Sequence, residues 1–160
     1  MPNKLIKNRE VVEDHWLQLT AEETTIPEGA AIIPLALWQA HKEQLTDRKQ
    51  LGIWLDSDES PNLIADDLNH FDVVAINFPS FADGRGFSYA RELREQHDYQ
   101  GEIRAIGHFM RDQLFYLQRC GFNAFALEGS EPEQALNSLD DFSDSYQACI
   151  DQATPLFKRR

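Results

Sequence analysis

Phe71-Asp72-Val73-Val74-Ala75-Ile76-Asn77-Phe78 is the stretch on which the fold turns. After the polar Asp72, Val73 to Ile76 is apolar without alternation. A strand with no polar face needs cover on both sides, as in a parallel sheet clothed by helices. Outward from it the same kind of signal repeats. Ala30–Ile33 and Leu51–Leu55 read as strands upstream, and Glu102–Ile106 and Ala124–Leu127 downstream. Helical patterns over Leu35–Leu45, Leu63–Leu68, Ser88–His97 and Met110–Cys120 separate them. These connections are long enough for crossovers between parallel neighbours.

At the start of the chain, Lys4–Lys7 and Val11–Trp16 flank the polar Asn8-Arg9-Glu10, which predicts a β-hairpin within residues 1–18. Pro27-Glu28-Gly29 signals a turn before the first internal strand. Pro132–Phe142 and Ser145–Ile150 read as a broken terminal helical region, and 153–160 as a tail. The expectation is one α/β domain over residues 1–160, with βα repeats over 30–150. Its mostly parallel sheet of about five strands alternates with helices, Rossmann-like or partial β/α-barrel-like, and is preceded by the N-terminal hairpin.

Composition narrows the function classes. A chain of 160 residues with 42% apolar residues, ten Phe and three Trp can bury one core. The net charge of −12 repels nucleic-acid backbones and argues against a nucleic-acid partner. Asp83–Arg119 is locally neutral, with six Arg against six acidic residues, so an anion meets less repulsion there. Alternating signs that simply solvate helix faces explain the same pattern. Cys120 and Cys149 form no CxxC and have no His at metal-ligand spacing, so no disulfide framework or zinc site is expected. The longest apolar run, Ala30–Trp38, is too short to span a bilayer, and no signal peptide is evident, which makes cytoplasmic the expected location.

Ligands in open α/β sheets and β/α barrels bind beyond the carboxyl ends of the strands. The loop after the most buried strand is Asn77–Ser88, NFPSFADGRGFS. Asp83-Gly84 signals a turn, and Gly84 and Gly86 leave the backbone around Arg85 free to take positive φ or approach a ligand. Arg85 offers a planar fork suited to a carboxylate, phosphate or sulfate-like oxyanion. Ser88 is expected as the N-cap of the next helix. Gly84, Arg85, Gly86 and Ser88 are therefore candidate ligand residues, with Asp83 a candidate acid–base group. The competing reading pairs Asp83 with Arg85 to lock a structural loop. The loop is neither a P-loop nor a dinucleotide fingerprint.

The second constellation is Arg104–Gln113, RAIGHFMRDQ. His108 at the strand-to-helix turn is the candidate for proton transfer, with Asp112 four residues on. A histidine that merely caps or packs a turn is the more common case. Arg104, in a buried strand, needs either a carboxylate partner or a ligand oxyanion. Arg111 and Gln113 complete the candidate ligand set by holding or bridging the two loops. Cys120 beside Arg119 is either a thiol of lowered pKa or a buried inert cysteine. Asp56, Asp58, Asp83 and Glu128 are carboxylates of the kind Mg²⁺ takes, but no spacing among them specifies a site, and no metal is assigned.

The runs FPSFADGRGFSYARELRE and GEIRAIGHFMRDQLFYLQRCGFNAFAL closely resemble the DUF934 family. The pattern FPxFxDGRGxS falls on Phe78, Pro79, Phe81, Asp83, Gly84, Arg85, Gly86 and Ser88. GExRAxG, DQ and RxGF fall on Gly101, Glu102, Arg104, Ala105, Gly107, Asp112, Gln113, Arg119, Gly121 and Phe122. His108 sits where the pattern fixes nothing. The resemblance implies a role in sulfite reduction, as members are encoded near the sulfite reductase hemoprotein and described as oxidoreductases.

The leading reading is an accessory protein of assimilatory sulfite reduction that binds a small anionic molecule or the sulfite reductase itself. An enzyme is the alternative, either a flavin-dependent reductase or a lyase or isomerase on a phosphorylated substrate. FMN is the cofactor weighed, although no motif supports it. A third reading is a structural homodimer joined by exposed aromatics. A pocket converging on Arg85, Arg104 and Asp112 would favour an enzyme, and an apolar rim of Phe78, Phe81, Phe87 and Tyr89 a docking module.

Overall fold

The computed structural model describes residues 3–79, 84–109 and 113–126. Its strands are β1 (Asn3–Lys7), β2 (Glu10–Asp14), β3 (Leu17–Gln18), β4 (Ala31–Pro34), β5 (Leu51–Leu55), β6 (Val73–Phe78), β7 (Glu102–Gly107) and β8 (Ala124–Phe125). All belong to one sheet, ordered β2-β1-β8-β7-β6-β5-β4-β3. From β3 to β8 every neighbour is parallel, whereas β1 runs antiparallel to both β8 and β2.

The expectation of a mostly parallel, Rossmann-like sheet of about five strands preceded by a hairpin does not hold. The protein is an α/β fold whose mixed, eight-stranded sheet curls into a half-barrel. A doubly wound sheet reverses its strand order at a switch point. Here successive strands from β3 to β8 are always adjacent, so each crossover steps the same way and the helices gather on one face. The hairpin is not an appendage either, because β1 zips onto β8 through Ile6↔Phe125 and Lys7↔Ala124.

Side-chain alternation confirms the one-sided winding. Ile33, Ile53, Val74, Ile76, Ile103, Ala105 and Phe125 point into the core beneath the helices. Their sequence neighbours Ile32, Val73, Ala75 and Ile106 form a second cluster on the inner face, bordered by Trp16 and Trp54. Trp54 Nε1 donates to Leu19 O at 2.8 Å, which ties β5 to the segment after β3.

Four helical segments are described. α1 spans Leu35–Leu45 and buries Leu35, Leu37, Trp38 and Leu45. The stretch expected as a helix at Leu63–Leu68 is a 3₁₀ helix, Pro61–His70. It is capped by Ser60 Oγ, which accepts from Asn62 N at 3.2 Å. α2 covers Arg85–Arg91 and runs into a π turn, Glu92–Gln96. Ser88 is thus inside the helix rather than its N-cap, because Phe87 N already donates to Gly84 O at 3.2 Å. α3 is Leu114–Cys120, ending at Gly121 with φ +122°. Leu127, the terminal helical stretches and the tail lie outside the described residues. Among the described residues no helix is long and apolar enough to cross a membrane.

Candidate functional site at the carboxyl edge

The loops after β5, β6 and β7 meet at one edge because Leu55 pairs with Ile76 and Phe78 with Gly107. The β5 loop organises itself first. Asp56 N donates to Glu59 Oε1 at 2.8 Å, Glu59 N returns to Asp56 O at 3.0 Å, and Ser57 N donates to Asp56 Oδ1 at 2.8 Å. Such a turn recruits side-chain oxygens in place of ladder partners. Asn77 Nδ2, from the end of β6, donates to the same Asp56 Oδ1 at 3.0 Å. Burial, followed by the charges of Asp58 and Asp56, pushes the Glu59 carboxyl above its usual range, against a lowering hydrogen bond from the Asp56 amide.

Ser57, held nearly buried by this turn, is the anchor for α2. Its Oγ accepts from Arg85 Nη2 at 2.9 Å, and its carbonyl accepts from Tyr89 Oη at 2.6 Å. Arg85 stays exposed while one guanidinium nitrogen is fixed. Gly84 caps α2 at φ −96° and Gly86 lies within the helix, so neither glycine uses positive φ. Gly107 does, at φ +90°, and a Cβ there would stand 2.5 Å from Phe78 O. The next residue, His108, is exposed, and its N–H donates to Phe78 O at 2.7 Å. Gln113 is half-buried at the start of α3.

Arg104 belongs to a different network. On β7 it is 3% exposed. Its Nε donates to Glu102 Oε2 at 2.7 Å, and Nη1 reaches both Asp14 carboxylate oxygens at 3.1 Å. Lys7 Nζ lies 3.2 Å from the other Glu102 oxygen. Together these line a cavity of about 420 Å³ with Trp16. Of the two partners expected for Arg104, the structure supplies the carboxylates. No described contact joins this network to Arg85.

Residues 52–157 match the model of a family described as "Bacterial protein of unknown function (DUF934)". The chain belongs to the DUF934 family. Neither the curated proteins nor the solved structures include a match to it. The matched stretch carries the loops after β5, β6 and β7 in this DUF934 protein, with Asp56, Ser57, Asn77, Arg85 and His108. It also carries Glu102 and Arg104, whose partners Lys7 and Asp14 lie ahead of it.

The candidates drawn from the DUF934 sequence therefore separate. Gly84, Arg85, Gly86 and Ser88 share α2 and its cap, with His108 at the same edge, whereas Arg104 points to the inner face. Asp83, Arg111 and Asp112 lie outside the described residues, as do Ser80, Phe81, Glu128 and Cys149. Among the described residues no three His, Cys, Asp or Glu side chains are placed to hold a metal ion. Cys120 is fully buried, and burial pushes its thiol up despite the lowering influence of Arg91, Tyr116 and Arg119. That is the inert cysteine rather than the activated one. Phe78 is buried rather than part of a rim, and Phe87 and Tyr89 are half-buried.

Sequence reading overlooked Ser57 and the polar role of Tyr89. The signal was available in Leu55-Asp56-Ser57-Asp58-Glu59, a polar run directly after a buried strand and therefore at the ligand-binding edge.

Proposed function

We propose that this DUF934 protein is an accessory protein of assimilatory sulfite reduction that binds a small oxyanion at its carboxyl edge. The observation that carries this reading is the placement of Arg85. It is exposed, anchored through Nη2 to Ser57 at 2.9 Å, and stationed beside the ends of β5 and β6. A guanidinium presents its donors in one rigid plane, the geometry that suits a sulfite- or sulfate-like oxyanion. Asn77 and His108 stand at the same edge, where polar groups from separate loops can converge. The link to sulfite comes from the family resemblance over Phe78–Leu127.

Docking of the sulfite reductase is a second reading, favoured by one feature. Two residues beyond Arg85, the Phe87 ring meets Tyr116 edge-on at 5.1 Å between centroids, and Tyr116 is 47% exposed. An aromatic pair beside an arginine has the composition of an interface hot spot.

Isothermal titration of the protein with sulfite, sulfate, FMN and the reductase hemoprotein, repeated with Arg85→Ala, tests both. Binding of sulfite or sulfate that is lost in Arg85→Ala supports the oxyanion site. A signal with the reductase alone, weakened by Tyr116→Ala, replaces it with docking. Binding of FMN that survives Arg85→Ala would point to a flavin enzyme and count against both.

A further inference from the structure

A cavity of about 470 Å³ opens at the opposite edge, beside the amino ends of β7 and β8. Its walls include Arg9 from the hairpin turn, Arg94 from the π turn, Gln118 from α3 and Asn123, with Phe122 and Phe125 as apolar floor. Among the described residues no carboxylate lines it. That is unusual in a chain with 27 acidic against 15 basic residues.

Arg94 is the group that asks for a ligand. Its Nε donates to Gly121 O at 3.0 Å, and its Nη1 to Tyr99 O at 2.7 Å and Gly101 O at 2.9 Å. These acceptors are neutral carbonyls. They fix the guanidinium without neutralising it, and no ion pair reaches it among the described residues. Burial accordingly pushes its pKa down, with the nearby Tyr99 opposing. A half-buried cation whose partners are all neutral is stabilised by an anion. Nη2 remains uncommitted among the described residues, so Arg94 can still donate into the cavity.

The second cation is delivered by a constrained turn. Asn8 and Arg9 take φ +52° and +67°, both in the left-handed region that a two-residue hairpin loop requires. Arginine is a poor fit there, and such strain persists where surrounding bonds impose it. Here Asn8 N donates to Asn123 O at 2.8 Å, while Asn123 Oδ1 accepts from Ile103 N at 2.8 Å. The turn is thereby clamped to β7 and β8. Arg9 Nη1 donates to Gln118 Oε1 at 3.0 Å, which leaves the Gln118 amide nitrogen as a donor.

We propose that this cavity is an anion site separate from the carboxyl edge, taking the phosphate or carboxylate group of a small metabolite between Arg94 and Arg9 over the Phe122–Phe125 floor. Its volume lies within the range of small-molecule sites. The proposal does not rest on the role assigned to Arg85, and its test keeps the two apart.

Side-chain NMR signals of Gln118, Asn123 and the Arg94 Nε–H are followed while inorganic phosphate and, separately, succinate are added to the full chain. Saturable shifts with either probe are expected, and which probe acts identifies the headgroup. Affinity should fall about tenfold or more in Arg9→Glu and stay unchanged in Arg85→Ala. Should Arg9→Glu not fold, Gln118→Glu introduces a negative charge into the cavity from α3 and must show the same loss. The proposal is overturned if neither probe gives saturable shifts at these signals, if the charge-reversed variant binds as the parent does, or if Arg85→Ala abolishes the effect.

Discussion

A Cβ on Gly86 would stand 2.7 Å from both Cε1 and Cζ of Phe78, so α2 lies directly against the ring that ends β6. That approach brings Arg85, one residue earlier, to the loop after β5. The same ring packs on Phe87 and Phe122 at centroid distances of 5.3 and 5.8 Å, so it has little room to yield.

Gly86→Ala should therefore destabilise the protein. Overpacking a tight core costs about 1–3 kcal/mol, more than the ~1 kcal/mol of helix propensity that alanine returns. Urea unfolding with an unchanged slope and a lower midpoint is the expected result. A variant as stable as the parent would show that the helix can shift off the ring.

Arg104→Ala should cost about 3–5 kcal/mol, because it leaves the Asp14 carboxylate without its cation and the nearly buried Glu102 with Lys7 alone. Glu102→Gln in the same background should recover part of the loss by removing a buried charge that Lys7 only partly compensates. Denaturant midpoints of the single and double variants measure the coupling, and strict additivity would contradict the network.

Tyr99 is expected to contribute to the alkaline loss of stability. Burial raises its phenol well above the usual value, with Asp72 and Glu102 adding to the rise and Arg94 opposing it. The folded state thus holds the proton more tightly than the unfolded chain. The resulting stability is fully present below about pH 10, the unfolded pKa, and is lost as pH rises beyond it. Tyr99→Phe removes the 3.0 Å hydrogen bond to Phe71 O, costing about 1 kcal/mol at neutral pH, and should flatten the fall between pH 9 and 11. Parallel slopes for the two proteins would rule out Tyr99 as the titrating group.

Asp67 is expected to contribute to the acid loss of stability. Burial alone would raise its carboxyl, but hydrogen bonds from Lys42 and Trp38 and the charges of Lys42 and His70 hold it below its usual range. Trp38 Nε1 is 3.1 Å from one oxygen and Lys42 Nζ 2.9 Å from the other. This contribution is present above about pH 4, the unfolded pKa, and is lost as pH falls through the lower folded value. Asp67→Asn should lower stability at pH 7 and make it less sensitive to acid, as read from thermal midpoints between pH 2.5 and 7. An unchanged acid slope would assign that loss to other carboxylates.

The positions of the buried strands were legible in the sequence because they depend on local composition. Val73–Ile76 and Ile103–Ile106 are runs whose two faces are both covered, and that requirement is visible in the residues themselves. The two-residue β3 was invisible, since Leu17-Gln18 has no periodicity to detect and exists as a strand only through its pairing with Ala31 and Ile32. The order of the sheet was equally hidden, because strand adjacency is settled by which edges meet, and apolar strands offer similar surfaces to several neighbours.

The same division runs through the sites. A buried Arg104 demanded an opposite charge, which desolvation makes evident from sequence. Glu102, two residues earlier on the same face of β7, is a local partner, whereas Asp14 is supplied only because β1 pairs with β8 and brings β2 alongside. Gly86 looked like a loop glycine suited to a ligand, and folding instead set it against Phe78. By itself, the sequence determined where chain must be buried and which charges then need partners, because those costs belong to each residue and its immediate neighbours. Tertiary structure alone decided which partners they found, how the sheet curls and which arginines share an edge, because those depend on contacts between segments far apart in the chain.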